Sequence, residues 1–405
     1  MLITVILGAL AVVSFALLIW QFVVALRFPL HTRRADDSFA PAITLLKPLK
    51  GFDDHTTECL RSWLVQKYRG SVQILFGVAE ADDPVCHVVQ QLLKEFPSAD
   101  AVLVITGEPL GANAKVSSLV KLSTQARHEL ICISDADVRV PEDFLANAIG
   151  QLRDPGVGLV NCFYRLANPT TWAMRIEAVA INADFWSQVL QSNTLKPQDF
   201  ALGAVMITRR AALEKIGGFE PLIDYLADDY QLGHRIVQSG ARIELSSVVV
   251  ECWDKPADFD AVWKHQLRWA RTIRASQPLP YFFSILGNVT LWAVLFGLFG
   301  DLGRFPPDSV VYDDQAPNWI ALMQGSVRSI AVFVAFALIV FRSLLAVGLQ
   351  ARLIQGRDIL RYAWLVPVKD FLHAAVWAAS FLGNTVEWRG VKYRLTRGGR
   401  LVRYE

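Results

Sequence analysis

The first pattern along the chain is a run without a single charge, residues 2 to 26, LITVILGALAVVSFALLIWQFVVAL. It exceeds the roughly 20 residues that cross a bilayer core of about 30 Å. A cleaved leader has a basic start, a shorter apolar core and a small-residue cleavage site; this run has none of these and meets Arg27, Arg33 and Arg34, so residues 1–30 read as an uncleaved anchor. From 41 to 257 short β-rich runs alternate with helical stretches. ITLLKP (43–48), VQILFGV (72–78), AVLVIT (101–106), LICISD (130–135), GLVNCFY (158–164) and AVMITR (204–209) read as strands, and 57–67, 84–96 and 227–239 as helices. The alternation predicts an α/β domain on a mostly parallel sheet. Apolar runs return at about 281–300, 329–350 and 362–383, which makes 281–385 a section of membrane helices. Lys369 and Asp370 interrupt the last run, and charges at membrane depth face a bundle interior, pair, or mark a segment that does not fully cross.

Composition agrees: 53% hydrophobic and 19% charged residues are too apolar a mix for an ordinary soluble protein and point to an integral, multi-pass membrane protein. The arginines after the first helix place the segment from 27 to about 280 on the cytosolic side. The loop 301–319, with Asp301, Asp308, Asp313 and Asp314 against Arg304, suits the outer side. The basic tail 386–405 creates a conflict. Three crossings after the domain would carry Arg389, Lys392, Arg394, Arg397, Arg400 and Arg403 outside, against the basic-inside tendency, so the side of the tail stays open. Cys59, Cys86, Cys132, Cys162 and Cys252 show no CxxC spacing and suggest neither a zinc site nor a disulfide framework.

Three stretches carry chemistry. LICISDAD ends a strand with Asp135 and Asp137, and in parallel sheets ligands bind beyond the carboxyl ends of the strands. Two carboxylates at i and i+2 can hold one divalent cation that also takes oxygens from a substrate phosphate; the alternative is a turn, which aspartate favours. YLADDYQLGHRI opens a helix with Asp228 and Asp229. Acids there are explained by the helix dipole, or one of them serves a cleft as general base. KHQLRWARTIR (264–274) sets Lys264, Arg268, Arg271 and Arg274 near one stripe, with Trp263 and Trp269 among them. Such a helix, within 258–280, suits a lipid surface, and its arginines also suit a departing diphosphate.

A strand-end DxD, a downstream acidic pair and an RW element, followed by membrane helices, together resemble the processive-type glycosyltransferases of the GT-A fold. Within them the chain is similar to the ceramide glucosyltransferase family, glycosyltransferase family 21, which includes bacterial hopanoid glycosyltransferases. The carrying residues are LLKPLKGFDD (45–54), VAEADDP (78–84), GANAKVSSL (111–119), SDADVRV (134–140), IGGFEPL (216–222), ADDYQLG (227–233), HQLRWARTIR (265–274) and WRGVKYRL (388–395). The resemblance implies a GT-A type domain over 41–257 with Lys47 and Glu80 near the uridine half of a donor. It also implies Lys115, Asp135 and Asp228 at the sugar diphosphate, Asp135 and Asp137 on the metal (Mg²⁺ or Mn²⁺), Asp229 as catalytic base, and Arg268 with Trp269 closing the site. Glu80 stands where the family pattern generally has Asp, and His265 fills the first place of the (Q/R)xxRW element.

The expected reaction is a single displacement in which a lipid hydroxyl, activated by Asp229, attacks the anomeric carbon of a UDP-sugar and inverts it. UDP-glucose with ceramide, or UDP-N-acetylglucosamine with a hopanoid, are the substrate pairs the resemblance implies, at a bacterial inner membrane and with no nucleic acid partner. The segment 169–190, with Trp172, Ile176, Phe185 and Trp186, either lines an entrance for acyl chains or packs in a core. Competing readings are a processive polysaccharide synthase, against which the small number of membrane helices counts, and an inactive membrane scaffold that keeps the fold.

Overall fold

Near-continuous apolar runs such as LICIS form strands buried on both faces, which happens when helices cover both sides of a parallel sheet. The computed structural model describes residues 2–36, 38–299, 319–356, 358–388 and 390–404. Asp301, Arg304, Asp308, Asp313, Asp314 and Arg389 lie outside the described residues. The chain divides into two compact units.

The larger unit comprises Phe28–Met174, Ser192–Lys264 and Asn384–Glu405. Its main sheet contains β1 (Ile43–Leu49), β2 (Val72–Val78), β3 (Asp100–Ile105), β4 (Leu130–Ser134), β5 (Val138–Arg139), β6 (Val157–Leu166), β7 (Val205–Arg209) and β8 (Arg242–Cys252). The order is β3-β2-β1-β4-β7-β6-β8-β5. Six strands run the same way, and β7 and β5 oppose them. The α/β class with a mostly parallel sheet is therefore as expected. Successive residues of β1 feed opposite faces: Leu45 packs in a core with Trp63, Val89 and Phe144, and Leu46 in one with Val116, Leu119 and Leu232. Two strands escape the sequence reading. β8 opens with Arg242, Glu244, Ser246 and Ser247, and this polar half hides a strand that pairs in parallel with β6; β5 has only two residues.

The basic tail is also structured. β9 (Thr385–Trp388), β10 (Val391–Leu395) and β11 (Leu401–Arg403) form an antiparallel meander. Its Val386, Leu395 and Leu401 bury themselves with Leu226, while Lys392, Arg394, Arg397, Arg400 and Arg403 stay exposed.

The second unit comprises Met1–Arg27, Arg175–Gln191 and His265–Gly383. Two of its helices, Leu2–Arg27 and Ser329–Ile354, are long and apolar enough to cross a membrane; Pro278–Gly287 and Val289–Phe299, bent by 56°, make a third if they act as one span. The run expected at 281–300 is thus broken. That at 362–383 becomes the helix Leu365–Ser380 of 16 residues, about 24 Å at 1.5 Å per residue. Its charges are paired internally. Arg342 donates to Asp184 at 2.9 and 2.7 Å and to Asp370 at 3.1 and 3.0 Å, Lys369 bonds Asp184 and, at 2.7 Å, Asp370, and the Thr290 hydroxyl donates to Asp370 at 2.5 Å. Two acids and two bases balance, as charges in a membrane bundle must. Asp184 sits in a π-helical turn, Ala180–Phe185. Trp186 is wholly buried with its indole N–H on Asn182 O at 2.9 Å, and Ile176 is buried too, so both are core residues; Trp172, in the larger unit, is exposed.

The helix Asp228–Gln238 lies so close to the preceding chain that a Cβ on Gly233 would overlap the backbone of Phe200 and Ala201. Gly233→Ala is expected to cost about 1–3 kcal/mol through overpacking, read as a lowered midpoint of thermal unfolding in detergent.

Candidate functional site

The carboxyl ends of the parallel strands gather most of the residues singled out from the sequence. β4 ends at Ser134, so Asp135 and Asp137 follow at its edge. The Asp135 N–H donates to Ala204 O at 3.2 Å, and Asp137 O accepts from Trp253 N–H at 3.0 Å, which ties the turn to the ends of the neighbouring strands. Lys47, near the end of β1, is fully buried beneath it. Its ammonium donates to Ser134 Oγ at 3.1 Å and to Asp135 O at 2.5 Å. Burial lowers Lys47 to about 8, with the charges of Asp137 and Asp135 offsetting part of the fall.

Lys115 joins two arms of the site. It occupies the first turn of the helix Ala114–Ser123, whose N-cap Asn113 accepts the Val116 N–H at 3.1 Å on its side-chain oxygen. The Lys115 ammonium lies 2.6 Å from Asp135 Oδ1 and 3.0 Å from Asp228 Oδ2. Burial opposes its charge, but Asp135 and Asp228 outweigh burial and hold it above the ordinary lysine range. Asn113 Nδ2 donates to Tyr225 O at 2.8 Å, so the same residue that starts the Lys115 helix also grips the loop before Asp228.

Asp229 accepts the Tyr230 N–H at 2.7 Å. Burial and the charge of Asp228 push its carboxyl up to about 7, against the opposing pull of Lys115. Asp137 is likewise pushed up to about 7, by burial first and then by Asp135 and Asp254. Asp254 is a carboxylate that sequence reasoning missed, because β8 was missed; the run VVVEC before WD has the same form as LICIS before DAD. Gly203 was missed as well. A Cβ there would lie 2.8 Å from Asp229 Oδ2, so only glycine leaves the carboxylate its present place.

Asp135 and Asp137 fit a divalent cation in donor chemistry: hard oxygens, two residues apart, with a crowding of negative charge that a cation would relieve. Among the described residues no group of three or more His, Cys, Asp or Glu side chains is arranged to hold a metal, so further oxygens would have to come from elsewhere. That suits a cation bound together with a phosphate.

The remaining sequence candidates make contacts of their own. Glu80 follows β2 at its carboxyl end with an exposed side chain. Asp83 turns back to accept the Gly51 N–H at 3.0 and 2.9 Å, a loop clasp. Arg268 and Trp269 lie in the helical unit. There the Trp269 ring meets His265 edge-on at 4.7 Å, and buried Glu177 bonds His265 Nδ1 and Gln266 Nε2, each at 2.7 Å.

A mostly parallel sheet thus carries a DxD turn, a lysine and an acidic pair at its carboxyl edge. The chain belongs to Glycosyl transferase family 21, whose family model matches residues 4–305 and 313–401. Ceramide glucosyltransferase 3 of Caenorhabditis elegans is 26% identical over 224 residues, 55% of this chain and 48% of that one. Ceramide glucosyltransferase of Candida albicans is 29% identical over 125 residues, 28% of this chain and 23% of that one. The matched region thus spans about half or less of these curated relatives. Among solved structures, the mannosyltransferase PcManGT from Pyrobaculum calidifontis in complex with GDP-Man and Mn²⁺ aligns over 92% of this chain and 98% of its own, at 19% identity and a TM-score of 0.49.

Gly203→Ala is expected to crowd the Asp229 carboxylate and to cost about 1–3 kcal/mol through overpacking, read as a lowered midpoint of thermal unfolding in detergent.

Proposed function

We propose that the protein transfers a hexose from a UDP-sugar to the hydroxyl of a membrane lipid with inversion, in the manner of a ceramide glucosyltransferase. The observation that carries this reading is Lys115 shared between Asp135 and Asp228, beside an Asp229 whose carboxyl is tuned to about 7. The family and its curated relatives support the substrate classes.

Lys115, on the first turn of its helix, presents an ammonium and the positive end of the helix dipole to the diphosphate, which favours an anion there. Asp135 and Asp137 would hold the divalent cation, which supplies charge neutralisation to the leaving UDP. Lys47 fixes the DxD turn from inside the protein. Asp229 takes the proton of the acceptor hydroxyl as its oxygen attacks the anomeric carbon, and the bond to UDP breaks on the opposite face. A single carboxylate base suffices, unlike the pair that a covalent double displacement needs. A base with a pKa near 7 is matched to neutral conditions.

The test incubates purified protein with labelled UDP-glucose or UDP-N-acetylglucosamine, with ceramide or a hopanoid polyol, and with Mg²⁺ or Mn²⁺, and looks for labelled lipid. Asp229→Asn should abolish transfer while sparing UDP binding; unchanged turnover would remove Asp229 as base. Because the ionised carboxylate is the active form and burial with Asp228 raises its pKa, kcat/KM should rise with pH through about 7 and then level.

We also propose three membrane crossings, with the sheet and the basic tail on the cytosolic side. The meander bonds to the sheet-bearing unit, as Leu401 N–H donates to Asp224 O at 2.7 Å, so an even number of crossings separates the two. The bent pair and Ser329–Ile354 supply two, while Leu365–Ser380 is short and holds Lys369 and Asp370. Gathering Arg27, Arg33 and Arg34 with the tail arginines on one side satisfies the basic-inside tendency and removes the conflict of charges. Gln355→Cys and Arg403→Cys should both resist an impermeant maleimide until cells are permeabilised. Labelling of Gln355→Cys in intact cells would show instead that Leu365–Ser380 crosses and the bent pair re-enters.

A further inference from the structure

The loop that delivers Asp228 and Asp229 is held from two sides, by pieces of chain almost 290 residues apart in sequence. On one side is the loop before Lys115: Asn113 N–H donates to Ile223 O at 2.7 Å, Asn113 Nδ2 to Tyr225 O at 2.8 Å, and Ala112 N–H to Asp224 Oδ1 at 3.2 Å. On the other side is the turn between β10 and β11. Leu401 N–H donates to Asp224 O at 2.7 Å and Leu226 N–H to Gly399 O at 3.3 Å. Gln231 Nε2 reaches Gly398 O at 3.0 Å, and Arg400 Nη2 reaches Asp224 Oδ2 at 3.0 Å. Gly398 and Gly399 have φ of 80° and 83°, the left-handed region that glycine tolerates.

Asp224 is the joint of this arrangement. One carboxylate oxygen takes an N–H from the Lys115 side and the other takes a guanidinium from the tail. Four residues later the helix of Asp228 and Asp229 begins. The tail also contributes apolar cover, since Leu401 and Leu395 pack on Leu226. An exposed ion pair alone contributes little. Backbone bonds, a carboxylate bridge and a small core acting on the four residues Ile223–Leu226 are a stronger constraint, because each removes a different way for the loop to move.

We propose that the Gly398–Leu401 turn is a positioning element of the catalytic site: it sets Asp228 and Asp229 against Lys115, so the site is complete only once the chain has returned from its last membrane helix. Asp224, Arg400 and Leu401 are positioning residues and touch no substrate. The inference rests on the reading of Asp229 as base, and it adds that the tail governs the rate of the chemical step more than donor binding.

The test uses full-length protein with Leu401→Asp, which places a charge in the small core, and Asp224→Ala, which removes the bridge. Arg403→Ala, exposed on the same strand, serves as control. Both core variants should lower kcat about tenfold or more, with the KM for UDP-sugar changed by no more than about twofold and faster hydrogen exchange at the Leu226 amide. Arg403→Ala should match the parent in all three. Should Leu401→Asp fail to fold, as judged by its unfolding transition, Asp224→Ala decides. Parental kcat in Asp224→Ala, or an equal loss of kcat and donor affinity, would overturn the proposal. Full activity of Asp229→Asn would instead overturn the base assignment and is distinguished by being independent of the tail variants.

Discussion

Everything in the sheet-bearing unit that bears on chemistry is organised around one ammonium group. Lys115 stands between a carboxylate from the end of β4 and one from the start of the Asp228–Gln238 helix, at 2.6 and 3.0 Å. Without it, Asp135, Asp228 and Asp229 would be three carboxylates crowded together with no opposite charge between them. With it, Asp135 and Asp228 each face an opposite charge at close range, while Asp229, which lacks a direct contact of this kind, has its carboxyl pushed up by burial and by the charge of Asp228.

The surrounding structure serves that arrangement at close range. Lys47 fastens the DxD turn from below, Asn113 links the Lys115 helix to the loop before Asp228, and Gly203 and Gly233 allow backbone and carboxylate to approach where a methyl group would intrude. These are small groups doing geometric work, and they come from segments far apart in the chain. The C-terminal meander extends the same logic. The basic tail, whose side of the membrane the sequence leaves open, forms a meander that packs on and bonds the loop that carries the acidic pair.

The helical unit solves a different problem. A polar network of Asp184, Arg342, Lys369 and Asp370 lies inside an otherwise apolar bundle, and balance between two acids and two bases is what makes it tolerable there. It also explains why the third apolar run after the sheet domain carries charge in its middle: Lys369 and Asp370 face partners within the unit.

Local pattern alone was enough for the α/β class, six of the eight strands of the main sheet, the apolar helix Leu2–Arg27, and the DxD and acidic-pair stretches, because each depends on neighbours within a few residues: burial on both faces of a strand, or acids at a strand end or in a first helical turn. Tertiary structure alone decided which charges meet. No periodicity joins Lys115 to both Asp135 and Asp228, turns Lys47 inward, sets Gly203 against Asp229, or brings Arg400 to Asp224, since these contacts arise from strand order and chain return. β8 escaped for a related reason, its half-polar pattern becoming a strand only through pairing with β6.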